Sequence, residues 1–207
     1  MEKKFCCTFC KGKSFSIRFE YDSPPNGETK FELKNQDYKR GYFSCNFCGH
    51  WFLEHELGMK NFYTKEYTDS TYSDKISEIF EKIISMPSEK SDNYGRIKRI
   101  KEFKEIIFPN KKTVDLLDVG SGLGVFPYSV KNIGWNCTAI DPDKRSIAHI
   151  KKRIGIQTIH GEFTKVKNTN KYNVITLNKV LEHVIDPTAM LIKVKNNLHN
   201  DGFIYVE

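Results

Sequence analysis

The 207-residue sequence predicts an α/β fold: a Rossmann-like parallel sheet of five strands behind a small N-terminal zinc-ribbon-like β domain. Three observations carry this expectation. From Thr113 onward, apolar strand-like runs alternate with helix-like ones, an order that demands a parallel sheet with right-handed crossovers. A glycine-rich turn, Gly120-Ser-Gly-Leu-Gly124, follows the first of these strands. Near the N-terminus, Cys7-Thr-Phe-Cys10 and Cys45-Asn-Phe-Cys48 form two CxxC knuckles.

Five of the six cysteines fall in the first 48 residues. Two knuckles present four thiolates, Cys7, Cys10, Cys45 and Cys48, to one tetrahedral ion, and Gly49 lets the backbone turn beside the second pair. The interval of 34 residues between the pairs is longer than the usual spacing of about 15 to 20. It holds strand-like runs at 14–19, 30–33 and 41–44, with a turn at Ser23-Pro-Pro-Asn-Gly27. Four thiolates leave no open coordination position, so the expected zinc is structural, and it supplies folding energy that so small a unit lacks. Disulfides are disfavoured without a secretion signal, and a thioredoxin-like redox motif without a βαβ context. Cys137, in an apolar strand, reads as a small core residue.

An aromatic linker follows, with Phe62, Tyr63, Tyr67 and Tyr72. It reads either as a docking loop or as a hydrophobic seam. Two helices come next. The run 74–85 places Ile76, Ile79, Phe80, Ile83 and Ile84 on one face, and Pro87 stops it. The run 94–107 repeats the pattern up to Pro109, after the capping cluster Ser91-Asp-Asn93. Both read as cover helices. Beyond them strands are expected at 114–119, 136–140, 156–159, 172–177 and 203–206. The helix at 123–133 closes on Gly134. Another starts at Asp141-Pro142 as N-cap and first residue and ends at Gly155, and one more opens at Asp186-Pro187. The domains are therefore 1–57, ribbon-like; 58–90, linker and cover helix; and 91–207, ligand-binding.

Composition narrows the function classes. Apolar residues at 39% and charged residues at 29% describe a globular chain. No apolar run approaches the roughly 20 residues that span a bilayer. Met1 to Phe5 leads into cysteines instead of a signal-peptide core, so a cytoplasmic protein without a membrane partner is expected. The net charge of +7 is spread evenly, and residues 1–57 hold nine basic against eight acidic side chains. A nucleic-acid partner is therefore not expected.

Ligands of such sheets sit at the carboxyl ends of the strands, beside the first strand. Gly120 and Gly122 lack a Cβ, so the backbone can approach a ligand closely, and Gly124 allows the next helix to pack tightly. Asp141, 19 residues beyond Gly122, ends the next strand where a carboxylate accepts hydrogen bonds from a ribose diol. Val125 stands where a dinucleotide fingerprint needs a glycine, and the turn carries no lysine or arginine. The site is built for an adenosine without a polyphosphate.

Leu117-Asp-Val-Gly-Ser-Gly-Leu-Gly124, Ala139-Ile-Asp-Pro142, Gly161-Glu-Phe163 and Asn178-Lys-Val-Leu-Glu-His-Val-Ile-Asp-Pro187 resemble the successive motifs of class I S-adenosylmethionine-dependent methyltransferases, over about residues 91–207. The resemblance implies that Gly120, Gly122 and Gly124 flank the methionine part of S-adenosylmethionine and Asp141 the ribose. Asp118 then orients the turn and the amino group, Glu162 and Phe163 lie near the adenine, and Asn178 lies at the methionine end. The knuckle segment and linker are similar to bacterial saccharide and sugar methyltransferases, which implies a nucleotide sugar or saccharide of surface-polysaccharide synthesis as the small-molecule acceptor. Family members continue past the fifth strand, so the methyltransferase sheet is expected to be truncated here and completed by a C-terminal segment or a partner. Displacement at a sulfonium needs mainly alignment, plus a base when the acceptor is a hydroxyl or carbon acid. His183 is the expected base; the competing reading makes Glu182-His183 a structural element after the strand. Two alternative functions are an RNA methyltransferase gripping its substrate with the ribbon, and a cofactor-binding fragment without activity.

Overall fold

The computed structural model describes residues 6–7, 9–26, 38–55, 75–184 and 186–207. The chain divides into two compact units, residues 1–67 and 68–207. The expected strand at 30–33 and the aromatics of the linker lie outside the described residues.

The first unit is a three-stranded antiparallel sheet of β1 (Phe15–Tyr21), β2 (Arg40–Cys45) and β3 (Trp51–His55), in the order β1-β2-β3. β3 goes unassigned in the sequence reading. It returns along β2 straight after the second knuckle, pairing Ser44 with Trp51 and Phe43 with Phe52. The alternation along β2 sends Phe43 to one face, where Phe52 stacks on it at 5.6 Å and Phe15 meets Phe52 edge-on at 5.0 Å. That aromatic cluster is small. The opposite face leaves Phe19 and Trp51 exposed, with the Arg18 guanidinium 5.7 Å from the Trp51 ring.

The second unit has five parallel strands in the order β6-β5-β4-β7-β8. They are β4 (Asp115–Val119), β5 (Asn136–Asp141), β6 (Gln157–His160), β7 (Tyr172–Leu177) and β8 (Leu198–Val206). The chain winds outward from β4 to β6, then crosses back to β7, so the switch point opens between β5 and β7 at the end of β4. The helices are α1 (Ile76–Ile84), α2 (Asp92–Ile107), α3 (Val125–Asn132), α4 (Lys144–Arg153) and α5 (Pro187–Asn197). Alternation along β4 and β7 builds the two halves of the core. Leu116 and Val174 face α2 and α3 with Ile97, Ile100, Phe126 and Val130. Leu117, Ile175 and Leu177 face Met190 and Val194 of α5. Both faces of the sheet are covered, as a parallel sheet requires. No helix among the described residues is long and apolar enough to cross a membrane.

Two of the departures from the expected element boundaries have a visible cause. α4 starts at Lys144, capped by Asp143, whose carboxylate accepts from the Arg145 N–H at 2.9 Å. Asp141 is not the cap: it is the last residue of β5, paired with His160, and its side chain is committed elsewhere. β8 begins five residues before the expected strand. Its polar stretch His199 to Gly202 hides the pairing, which is irregular between Tyr172 and Val174.

Candidate functional site

The first-strand turn is clamped from β5. Gly120 and Ser121 donate their N–H groups to the Ile140 carbonyl at 2.8 and 3.2 Å, and Gly122 donates to Asp141 Oδ2 at 2.8 Å. These backbone donors are thus spent inside the protein, and the access that remains is steric. At Gly122 (φ +51°) a Cβ would meet no atom within 4 Å, so open space lies in front of the turn. At Gly124 (φ +80°) a Cβ would come within 2.6 Å of Ile150 and 2.7 Å of Ile154. That glycine lets α4 pack directly against the start of α3, a conformation and an approach that an L side chain denies. Gly120 is closed from the other side by Val180, 2.7 Å from an added Cβ.

Asp141 holds the turn with one oxygen and the Asp143 N–H with the other at 2.8 Å. Burial pushes its pKa up, against the two backbone donors. An ionised carboxylate has about four acceptor positions, so each oxygen keeps one free for a hydroxyl. Asp118, at the end of β4, is buried; its Oδ1 accepts from Thr176 Oγ1 at 2.6 Å and from Asn178 Nδ2 at 3.2 Å. Desolvation pushes its pKa from 3.8 to about 6, opposed by those donors. Thr176 escapes sequence reasoning. Its signal is a hydroxyl within an apolar strand, in register with Asp118 across the β4–β7 ladder.

Asn178 follows β7. Its Nδ2 is fixed by Asp118, and among the described residues its Oδ1 is buried without a hydrogen-bond partner. A buried orphan acceptor carries a desolvation penalty of about 1–3 kcal/mol until a donor arrives. The fold thus brings Asp118, the glycine turn, Asp141 and Asn178 to one end of the sheet. Two carboxylates and an unsatisfied carbonyl, with no cation in the turn, fit a ligand carrying ammonium or sulfonium charge and a diol.

The remaining expected residues are Phe163, Glu162 and His183. Phe163, 3% exposed, packs in the core with Val119, Ile140 and Leu177. Glu162 is exposed; Lys165, at 2.6 Å, and Thr164 Oγ1, at 2.9 Å, hold its carboxylate, and the Lys165 contact pulls its pKa down. His183 ends a 3-10 turn, Leu181–His183, with its Nε2 4.0 Å from Glu182 Oε1.

In the first unit Cys7, Cys10, Cys45 and Cys48 bring their Sγ atoms within 4.8 Å of one another. Cys7 and Cys48 are 3.6 Å apart and Cys10 and Cys45 3.5 Å. A tetrahedron with metal–sulfur bonds of about 2.3 Å has edges of about 3.8 Å, so the four sulfurs match a zinc set. The Cys10 N–H lowers the Cys7 thiol to about 7, against desolvation. Exposed Phe9 packs its ring on His50 at 4.4 Å beside the cluster.

A family model described as a methyltransferase domain matches residues 67–207. Among curated proteins, the ubiquinone biosynthesis O-methyltransferase of Hydrogenovibrio crunogenus (strain DSM 25203 / XCL-2) is 29% identical over 117 residues, 53% of this chain and 46% of that protein. Its counterpart in Haemophilus ducreyi (strain 35000HP / ATCC 700724) is 31% identical over 103 residues, 44% of this chain and 43% of that one. The chain spans about half the length of the curated relatives it matches. Among solved structures, the plantazolicin methyltransferase BpumL in complex with SAH covers 72% of this chain and 55% of its own at a TM-score of 0.55 and 20% identity. A TehB-like SAM-dependent methyltransferase from Corynebacterium glutamicum ATCC 13032 Kitasato covers 63% and 71%, at 0.52 and 16%. At these identities the structures speak for the fold alone.

Proposed function

The chain belongs to this family of methyltransferase domains, and from that premise we propose that residues 68–207 transfer a methyl group from S-adenosylmethionine to a hydroxyl of a small-molecule acceptor. The single observation that carries the placement of the cofactor is the convergence of Asp141, the open face of Gly122 and the orphaned Asn178 Oδ1 at the switch point. S-adenosylmethionine, when bound, supplies a methyl group activated on a sulfonium.

In this reading each residue has a bounded task. Asp141 receives the ribose hydroxyls on its free lone pairs while its other bonds keep the turn in place. Asn178 Oδ1 accepts from the amino group, and Asp118 keeps that amide from flipping. Gly122 leaves room for the methionine chain. What the protein contributes to the rate is chiefly alignment, which is worth several kcal/mol in a displacement of this kind. His183, just past β7, is the proposed proton acceptor for the hydroxyl.

The acceptor is an oxygen nucleophile in this proposal because the curated relatives are named as O-methyltransferases. Those names do not favour the saccharide acceptor suggested by the N-terminal segment, nor an RNA substrate. The geometry of Cys7, Cys10, Cys45 and Cys48 supports a structural zinc ion in the first unit, with every position filled by sulfur and none left for chemistry.

Calorimetry with S-adenosylhomocysteine tests the cofactor reading. Wild type is expected to bind, and Asp141→Asn, which keeps the shape but loses the charge, to bind about tenfold more weakly, a difference of about 1.4 kcal/mol. Equal affinity of the two proteins would refute the role of Asp141, and no binding by either would refute the site.

A further inference from the structure

We propose that Glu207 is a positioning residue of the cofactor site, acting through a carboxylate shared by Arg96, Arg99 and Tyr205 to fix the loop 178–180 against the glycine turn. The proposal rests on the cofactor reading above.

The loop needs fixing. Lys179 has φ +54°, the left-handed region, where a non-glycine residue is strained by about 1–2 kcal/mol. On one side of it, Asn178 is tied to Asp118; on the other, Val180 closes over Gly120. A change at Lys179 therefore moves both the orphaned acceptor and one wall of the turn. The conformation is held from β8: the Glu207 N–H donates to the Leu177 carbonyl at 3.2 Å, and the Lys179 N–H donates to the Glu207 carbonyl at 2.6 Å. The position of the Glu207 backbone thus sets the loop.

The Glu207 side chain is in turn held from α2. Its Oε1 accepts from Arg96 Nη2 at 2.7 Å and Nε at 3.1 Å, and its Oε2 accepts from Arg99 Nη2 at 2.8 Å and Tyr205 Oη at 2.6 Å. Arg99 Nε donates to Tyr205 Oη at 2.9 Å, closing the network. The Arg96 side chain is 14% exposed and that of Glu207 33%, whereas Arg99 is 54% exposed, so the charge-assisted cluster is shielded on the Arg96 side and open to solvent on the Arg99 side. Arg96 and Arg99 lie three residues apart on one face of α2, and together they tie the first turns of that helix to the end of β8. The carboxylate stays ionised: the Arg96 contact draws its pKa down to about 2. Among the described residues the hydrogen bonds of these side chains join α2 to the end of β8 and not to the turn, so their effect passes through the loop.

The test uses the 207-residue chain, with Glu207→Gln and the milder Arg99→Gln at an exposed position. Calorimetry with S-adenosylhomocysteine is read beside amide exchange at Lys179 and the melting temperature. The expected result is an affinity loss of about tenfold in Glu207→Gln and about threefold in Arg99→Gln, each with faster Lys179 exchange. Wild-type affinity in both variants despite a lowered melting temperature would overturn the proposal, leaving only a fastening of α2 to β8. If Glu207→Gln does not fold, Arg99→Gln decides by the same criterion. Failure of the wild type to bind would refute the cofactor reading itself and the proposal with it.

Discussion

Asp118 sits at the end of the central strand, where its environment and its partners pull in opposite directions. Desolvation raises its pKa from 3.8 to about 6, while Thr176 and Asn178 donate to it. The folded protein therefore holds a proton there more tightly than the unfolded chain does. The stability this contributes is complete below about pH 4 and is lost as pH rises through about 6. Denaturant melts between pH 4 and 7 should show this slope. Asp118→Asn, neutral at all pH, should reduce it without abolishing it, since burial shifts Asp141 in the same direction. A slope unchanged in the variant would remove Asp118 from the account. Glu207 behaves oppositely. With its pKa depressed to about 2, its contribution is intact above the ordinary carboxylate range and is lost only as pH falls toward 2. The positions of Asp118 and Asp141 at strand ends were legible in the sequence because strand ends and turns announce themselves. Their bonds were not: which oxygen meets Gly122, and that Thr176 faces Asp118, depend on the pairing of strands distant in sequence.

Helix boundaries follow the same division. α1 was legible from its isoleucines and phenylalanine on one face, but not its seat. Phe80 is fully buried, with its ring 5.6 Å from Tyr128 of α3 and 5.0 Å from His149 of α4. Phe80→Ala should cost about 3–5 kcal/mol, seen in chemical denaturation of residues 68–207 within the chain. A loss below about 1 kcal/mol would mean that α1 contributes little to this unit. The cap of α4 shows why local rules stop short. Asp141-Pro142 has the form of a cap and first residue, yet β5 continues through Asp141 and hands the cap to Asp143. Pairing with β6 extends the strand by a residue that a helix rule had claimed. Gly124 is the converse case, where the expected tight helix packing is what the Ile150 and Ile154 contacts show.

For the whole molecule, the two units differ in what holds them together. Residues 68–207 enclose a core on both faces of the sheet, whereas the described part of residues 1–67 has three short strands, a few stacked rings and four convergent sulfurs. So little buried surface among the described residues is consistent with the proposed structural zinc, whose binding would supply folding energy. Elemental analysis should find one zinc ion per chain. Chelation should collapse the amide signals of the first unit while the second keeps its melting transition, and an unchanged first unit after complete metal removal would refute a structural zinc. The sequence by itself determined the alternation of strands and helices, the glycine turn, the acidic strand end and the two knuckles, because each is a short-range pattern that backbone sterics and side-chain chemistry impose within a few residues. Only the tertiary structure decided that the turn's donors are consumed by β5, that Asn178 has an acceptor without a partner among the described residues, and that Glu207 reaches Arg96 across 111 positions of chain. These are outcomes of packing, in which a group's partner is whatever the fold sets beside it, and no local pattern encodes that neighbour.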